Sequence, residues 1–228
     1  MTEASRQVAR NLERVQERIA AACECAGRAP GEVRLIAVSK RHAPAAIEAA
    51  YEAGQREFGE NYVQEFSDKA SRLVHLAGLR WRLIGHLQRN KTRRVAEIAY
   101  AVDTVDSARL AQALERQAAG GGRRLRVLLQ VNIGREPQKA GVAPEGVAAL
   151  VATVRGLPHL ELQGLLAVPP VSRDPETSRP HFAALRALAR RHSLSELSMG
   201  MSADLEVAVE EGATMVRVGS AIFGPRDR

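Results

Sequence analysis

The chain has 228 residues, 45% of them hydrophobic, and a formal net charge of +7, enough apolar material for one substantial core and one barrel-sized domain. The cations are not gathered into a phosphate-binding surface: Arg14, Arg18, Arg56, Arg72, Arg93, Arg116, Arg155 and Arg186 lie among acids on expected helices. Aromatic residues make up only 4%, so no base-stacking platform suggests nucleic acid. No stretch reaches the length of a membrane span, and residues 1–26 lack the apolar segment of a targeting peptide. A soluble, cytoplasmic protein is expected.

In chain order, Val8, Leu12, Val15 and Ile19 recur at helical spacing and predict an N-terminal helix within residues 1–26. Cys23 and Cys25, the two cysteines, stand two apart on that helix and point in different directions. Reduced thiols are therefore expected in place of a metal site. Eight strand-like runs then alternate with helical patterns, each pair taking roughly 20 to 30 residues, as parallel βα units do. The strands are expected at Val33–Ser39, Arg56–Gly59, Trp81–Gly85, Ala101–Thr104, Leu125–Asn132, Leu162–Val168, Glu196–Gly200 and Met215–Gly219. Helices should start near Pro44, Asn61, Leu87, Ser107, Pro144, Asp174 and Ser202, with only a short tail after the eighth strand. Gly27, Gly54 and Gly212 sit where helices should stop, and Gly120–Gly122 read as an exposed loop. The pattern predicts one α/β domain over 1–228, a (β/α)8 TIM-type barrel over 33–224 with an extra N-terminal helix. A doubly wound open sheet is the second architecture.

In such a barrel, functional groups gather at the C-terminal strand ends and the loops that follow. Lys40 closes the run Leu35–Ser39 at one such end, and the choice of residue is informative: 29 of the 33 basic residues are arginine, leaving Lys40, Lys69, Lys91 and Lys139. A guanidinium stays charged, whereas an ammonium can lose its proton and attack a carbonyl. The bland alternative is a lysine that ends a strand in water. On the last strand, alternation sets Arg217 and Gly219 on the face opposite Val216 and Val218, which aims Arg217 into the barrel mouth. A salt bridge to a neighbouring strand is the structural alternative. Gly219 allows close backbone approach, and Ser220 can donate to phosphate oxygens. Ser202 is placed to cap the helix after strand seven, which would add a second hydroxyl beside the first. Asn61 and His86 stand at further strand ends, while Asp103 fits either a helix cap or the site. His42, His75, His159, His181 and His192 show no metal spacing. The set points to a phosphorylated carbonyl compound.

Five segments, Leu35–Lys40 (LIAVSK), Phe58–Glu65 (FGENYVQE), Trp81–Gln88 (WRLIGHLQ), Ser198–Asp204 (SMGMSAD) and Met215–Gly224 (MVRVGSAIFG), resemble in order the pyridoxal phosphate homeostasis proteins, the YggS-type family. One departure is that Pro44 stands four residues after Lys40, where the family places proline three after its lysine. The resemblance implies a barrel related to the N-terminal domain of alanine racemases. It implies pyridoxal 5′-phosphate (PLP, the vitamin B6 cofactor) held as a covalent internal aldimine on Lys40, with Arg217 facing the pyridine nitrogen. Ser202, Gly219 and Ser220 would bind the phosphate, and Asn61 would lie beside the ring. It further implies a non-enzymatic role in PLP homeostasis: storage, buffering or delivery to PLP-dependent apoenzymes. Racemases draw a second acid/base from an added β domain and a partner subunit, whereas this sequence ends four residues after Gly224, so a monomer without a catalytic residue is expected. The competing readings are a minimal PLP-dependent racemase-like enzyme, for which Tyr62 stands near the mouth although no tyrosine is plainly placed as the second base, and a barrel whose lysine bonds a sugar-phosphate aldehyde.

Overall fold

A computed structural model of the protein describes residues 2–225. Met1 and residues 226–228, the two ends of the expected 1–228 domain, lie outside the described residues. The eight strands are β1 (Arg34–Val38), β2 (Glu57–Glu60), β3 (Arg80–Leu83), β4 (Ala101–Val105), β5 (Leu125–Val131), β6 (Leu160–Ala167), β7 (Glu196–Ser198) and β8 (Met215–Val218). Each pairs in parallel with its neighbour in sequence, and β8 returns to pair with β1 along Arg34–Ala37, which closes the barrel. That last pairing eliminates the open doubly wound sheet. The expected strands all form, with ends moved by one or two residues.

The helices are α1 (Glu3–Cys25), α2 (Pro44–Glu52), α3 (Val63–Arg72), α4 (Thr92–Ile98), α5 (Ala108–Gly120), α6 (Val147–Arg155), α7 (Arg179–Arg191), α8 (Leu205–Glu210) and α9 (Ser220–Phe223). Pro44 opens α2 and Ser107 caps α5, its hydroxyl accepting the Leu110 N–H at 3.4 Å. Elsewhere the regular helix starts later than the sequence signal. Tight 3₁₀ turns at Arg89–Lys91, Pro144–Gly146 and Pro175–Ser178 take up the expected first turn; a proline with fixed φ and no N–H favours such a turn ahead of the helix. Two further expectations are corrected. Gly120 belongs to α5, and the chain after β8 forms the one-turn helix α9 where only a tail was expected. Gly27, Gly54 and Gly212 do end helices, with φ of +64°, +98° and +93°, conformations that side chains resist.

The strands bury both faces, as a parallel sheet must. Phe58, Trp81, Leu83, Val102, Val127, Leu129, Leu165, Val216 and Val218 join the large core under the helices, while Ile36, Leu128, Leu166 and Met215 form a separate inner cluster. The interior also holds charge. Arg82, fully buried, donates from Nε and Nη2 to Asp103 at 2.8 Å each and from Nη1 to Glu57 at 3.0 Å. Burial alone would depress the guanidinium; Asp103, then Glu57, reverse this and hold its pKa above the ordinary arginine value. Asp103 is thereby corrected: it neither caps a helix nor lines the mouth, but serves as one of the two carboxylates that make a buried arginine tolerable. Helix α1 packs along α2, α8 and α9, with Val8, Leu12, Val15 and Ile19 buried as its spacing requires.

Candidate functional site

A cavity of about 420 Å³ opens at the C-terminal ends of the strands, and the six residues read from the sequence, Lys40, Asn61, Ser202, Arg217, Gly219 and Ser220, all line it. Its remaining walls are Val38, Ile84, Val168, Met201 and Ala203. Lys40 is half-buried just past β1, between a fully buried Ser39 and an exposed Arg41. Val38 ends the strand beneath it, and the Ser39 N–H bonds the Gly59 carbonyl at 3.1 Å, so the ladder to β2 continues up to the lysine.

Arg217 is 5% exposed on β8, on the inward face that alternation assigned to it. Its Nη1 donates to the Ser198 hydroxyl at 2.7 Å and its Nη2 to the Ala167 carbonyl at 3.0 Å. Both partners are neutral, and among the described residues Arg217 makes no ion pair, so the salt bridge weighed as an alternative does not form. Burial pushes its pKa down to about 10, against the fields of Asp103 and Asp204. At neutral pH it is therefore a cation inside the barrel with donor capacity to spare. Asn61 supplies a second unmet group, since its side-chain oxygen is buried without a hydrogen-bond partner.

The β7 side departs from expectation in one respect. Ser202 is not the helix cap: α8 begins at Leu205, and Asp204 occupies the cap position. The Asp204 carboxylate folds back on the loop, accepting the Met201 N–H at 2.7 Å and the Ser178 hydroxyl at 2.9 Å. This local turn competes with the helix and releases Ser202 to the cavity wall. Arg18 of α1 steadies it from outside, donating to the Ser202 carbonyl at 3.0 Å and to both oxygens of Glu206 at 2.7 and 3.0 Å. Ser178 carried no sequence signal that would have linked it to the site, whereas Asp204 entered only as the last residue of the SMGMSAD segment.

His86 is exposed and lies 3.8 Å from Asp106, lining a neighbouring chamber of about 250 Å³ with Gln130, Asn132 and Lys139. The two cavities share Asn61, Ile84 and Val168. Tyr62, 49% exposed, faces an outer groove with Arg41 and Lys69 and does not line the cavity. Among the described residues no group of three or more His, Cys, Asp or Glu could hold a metal ion, and no helix is long and apolar enough to cross a membrane.

A family model described as the alanine racemase N-terminal domain matches residues 8–227. The pyridoxal phosphate homeostasis protein of Pseudomonas aeruginosa is 46% identical, with 96% of each chain covered. Its namesake in Escherichia coli is 44% identical over 96% of this chain and 97% of the relative. Among solved structures, PipY of Synechococcus elongatus with PLP bound superposes with a TM-score of 0.82 at 40% identity, covering 92% of this chain and all (100%) of that one. An alanine racemase from Corynebacterium glutamicum shares the fold at 20% identity, with a TM-score of 0.73 over 97% of this chain and 62% of its own.

Proposed function

Because the chain belongs to the pyridoxal phosphate homeostasis protein family, on the alanine racemase N-terminal domain fold, we propose that it binds PLP in the 420 Å³ cavity and stores, buffers or delivers it without turning over a substrate. One observation carries this reading: a lysine amine, a buried arginine held only by neutral partners and an unmatched Asn61 oxygen share one cavity with two serine hydroxyls. The set fits the group. The cavity needs an acceptor for the spare Arg217 donors and a hydrogen-bond donor or polar ring substituent near Asn61, and it offers an amine for a carbonyl carbon. When bound, the cofactor supplies that carbonyl carbon and an electron-withdrawing ring.

The residues then divide the work. Lys40 presents the amine that bonds covalently and reversibly, with loss of water. Arg217 would meet the ring nitrogen; a guanidinium can only donate, so the nitrogen it faces stays unprotonated and the ring is a weaker electron sink than an aspartate would make it. Ser202, Gly219 and Ser220 would hold the phosphate, and Asn61 would lie beside the ring. Val38, Ile84, Val168, Met201 and Ala203 complete the wall with no titratable side chain, which supports anchoring over proton transfer. The aldehyde is thus held and given up intact, the chemistry that passing a cofactor to apoenzymes requires.

Two measurements test this. PLP-loaded protein incubated with L-alanine should produce D-alanine or pyruvate no faster than free PLP does; turnover of about 1 s⁻¹ or more, in the ordinary enzymatic range, would overturn the carrier reading. Arg217→Gln should fold normally yet bind PLP roughly 10- to 100-fold more weakly, the worth of a hydrogen bond from a charged donor. Unchanged affinity and an unchanged spectrum would reduce Arg217 to a structural residue.

A further inference from the structure

We propose that Lys69, together with Glu60 and Glu65, is a positioning residue for Lys40: a buried ammonium that pins the turn carrying the anchor and so sets how slowly a bound cofactor leaves. The inference rests on Lys40 being the covalent anchor.

Lys69 stands on α3 with its side chain 6% exposed, and its three N–H donors reach three acceptors. These are the Ser39 carbonyl at 2.7 Å, Glu60 Oε1 at 2.8 Å and Glu65 Oε1 at 2.7 Å. The same Glu60 oxygen accepts the Ser39 hydroxyl at 2.7 Å, and the same Glu65 oxygen accepts the backbone N–H of Arg41. The residues on both sides of Lys40 are therefore tied to one ammonium, through main-chain groups and two carboxylates. Glu60 is fully buried, and burial pushes its carboxyl pKa up while Lys69 and Ser39 oppose the shift. Arg41 adopts φ +62°, a left-handed conformation that a non-glycine residue takes only when something holds it there. The Glu65 bond is one restraint, and the turn bond from the His42 N–H to the Ser39 carbonyl at 3.1 Å, the carbonyl that Lys69 also holds, is another.

The arrangement explains a residue choice as well. Three acceptors converge on one atom, which suits a compact ammonium with three donors better than a planar guanidinium fork. A pinned turn returns the Lys40 amine to the same place after each opening of its covalent bond, so re-closure competes well with departure. Loosening the turn should speed release more than it slows attachment.

The test follows the visible band of the PLP-loaded protein after addition of excess pyridoxine 5′-phosphate, which lacks the aldehyde and restores no band. Lys69→Met should release PLP about tenfold faster, Glu65→Ala by about threefold to tenfold, and Lys69→Arg by less than Lys69→Met, as hydrogen bonds to charged groups are lost or partly kept. Attachment rates should stay within about threefold of the original. Phe182→Leu, buried on α7 away from the cavity, serves as the control for lost stability and should release PLP at the original rate. Original release rates in both Lys69→Met and Glu65→Ala, or equal acceleration in Phe182→Leu, would overturn the clamp. Should Lys69→Met fail to fold, Glu65→Ala decides alone, since its side chain is partly exposed and alanine favours the helix. An unaltered protein with no visible band removes the PLP reading and the clamp with it; a normal band with unchanged variant rates removes the clamp alone.

Discussion

Replacing Lys40 with alanine should give a folded protein that is colourless with PLP and forms no borohydride-stable adduct. A carbon–nitrogen double bond conjugated to the pyridine ring absorbs in the visible, and borohydride reduces it to a permanent link, so the two readouts report one covalent bond. The fold should survive because Lys40 is only half-buried at a strand end, and its turn is held through Ser39 and Arg41. Substitution there should cost about 1 kcal/mol or less, the centre of the range for single substitutions. A yellow Lys40→Ala protein, with the aldehyde found on Lys139 or another amine by peptide mapping, would contradict the assignment. A protein that binds a sugar-phosphate aldehyde in place of PLP would give a borohydride adduct without the visible band, which separates that third reading from the first.

The largest expected loss of stability comes from the barrel interior. Arg82→Met keeps an unbranched side chain but leaves Asp103 and Glu57 facing one another with exposures of 0% and 7% and no buried cation between them. Removing one partner from a buried ion pair costs about 3 to 5 kcal/mol; here the cost falls on Asp103, which loses its counter-ion without regaining water, while Glu57 keeps Arg80 at 3.5 Å and Arg34 at 3.8 Å. For a chain of this length that corresponds to a fall in Tm of about 6 to 20 °C. Urea melts of the PLP-free protein measure the loss without a ligand contribution. A change below about 1 kcal/mol would mean that water enters the barrel and solvates the two acids. Adding Glu57→Gln and Asp103→Asn to Arg82→Met should recover much of the loss, since the uncompensated charges then disappear.

The barrel was legible because strand-like runs such as Leu35–Val38 and Val127–Leu129 alternate with helical patterns at βα spacing, and three helices stop at Gly27, Gly54 and Gly212 with positive φ; both signals are local. Lys40 and Arg217 were legible for related reasons: one ends a buried run, and the other is placed inward by simple alternation along β8. What escaped depends on contacts between distant segments. Asp103 looked like a candidate cap or site residue because nothing in its own strand shows that Arg82 lies beside it, 21 positions earlier in the chain. Ser202 has the sequence of a helix cap, yet Asp204 bonds back to Met201 and moves the helix start beyond it. Lys69 counted only as one of four lysines. Its three acceptors come from Ser39, Glu60 and Glu65, and three separate positions converging on one nitrogen leave no periodic trace. The scarcity of lysine has a second reading beside the anchor proposed for Lys40: three acceptors converge on Lys69, a place that arginine would fill poorly.

Helix α1 gives the site a place in time. Arg18 holds the Ser202 loop and Glu206 from 184 and 188 positions away, and Asn11 donates to the Ile222 carbonyl in α9 from 211 positions away at 2.8 Å. A ribosome adding about 5 to 20 residues per second makes α1 roughly 10 to 40 s before those partners exist. Until then the helix can rest its apolar face only on α2, and the far wall of the cavity has not been made. The cavity proposed for the cofactor is thus closed only once Ser202, Arg217, Gly219 and Ser220 have been made, long after Lys40 on the opposite part of its wall.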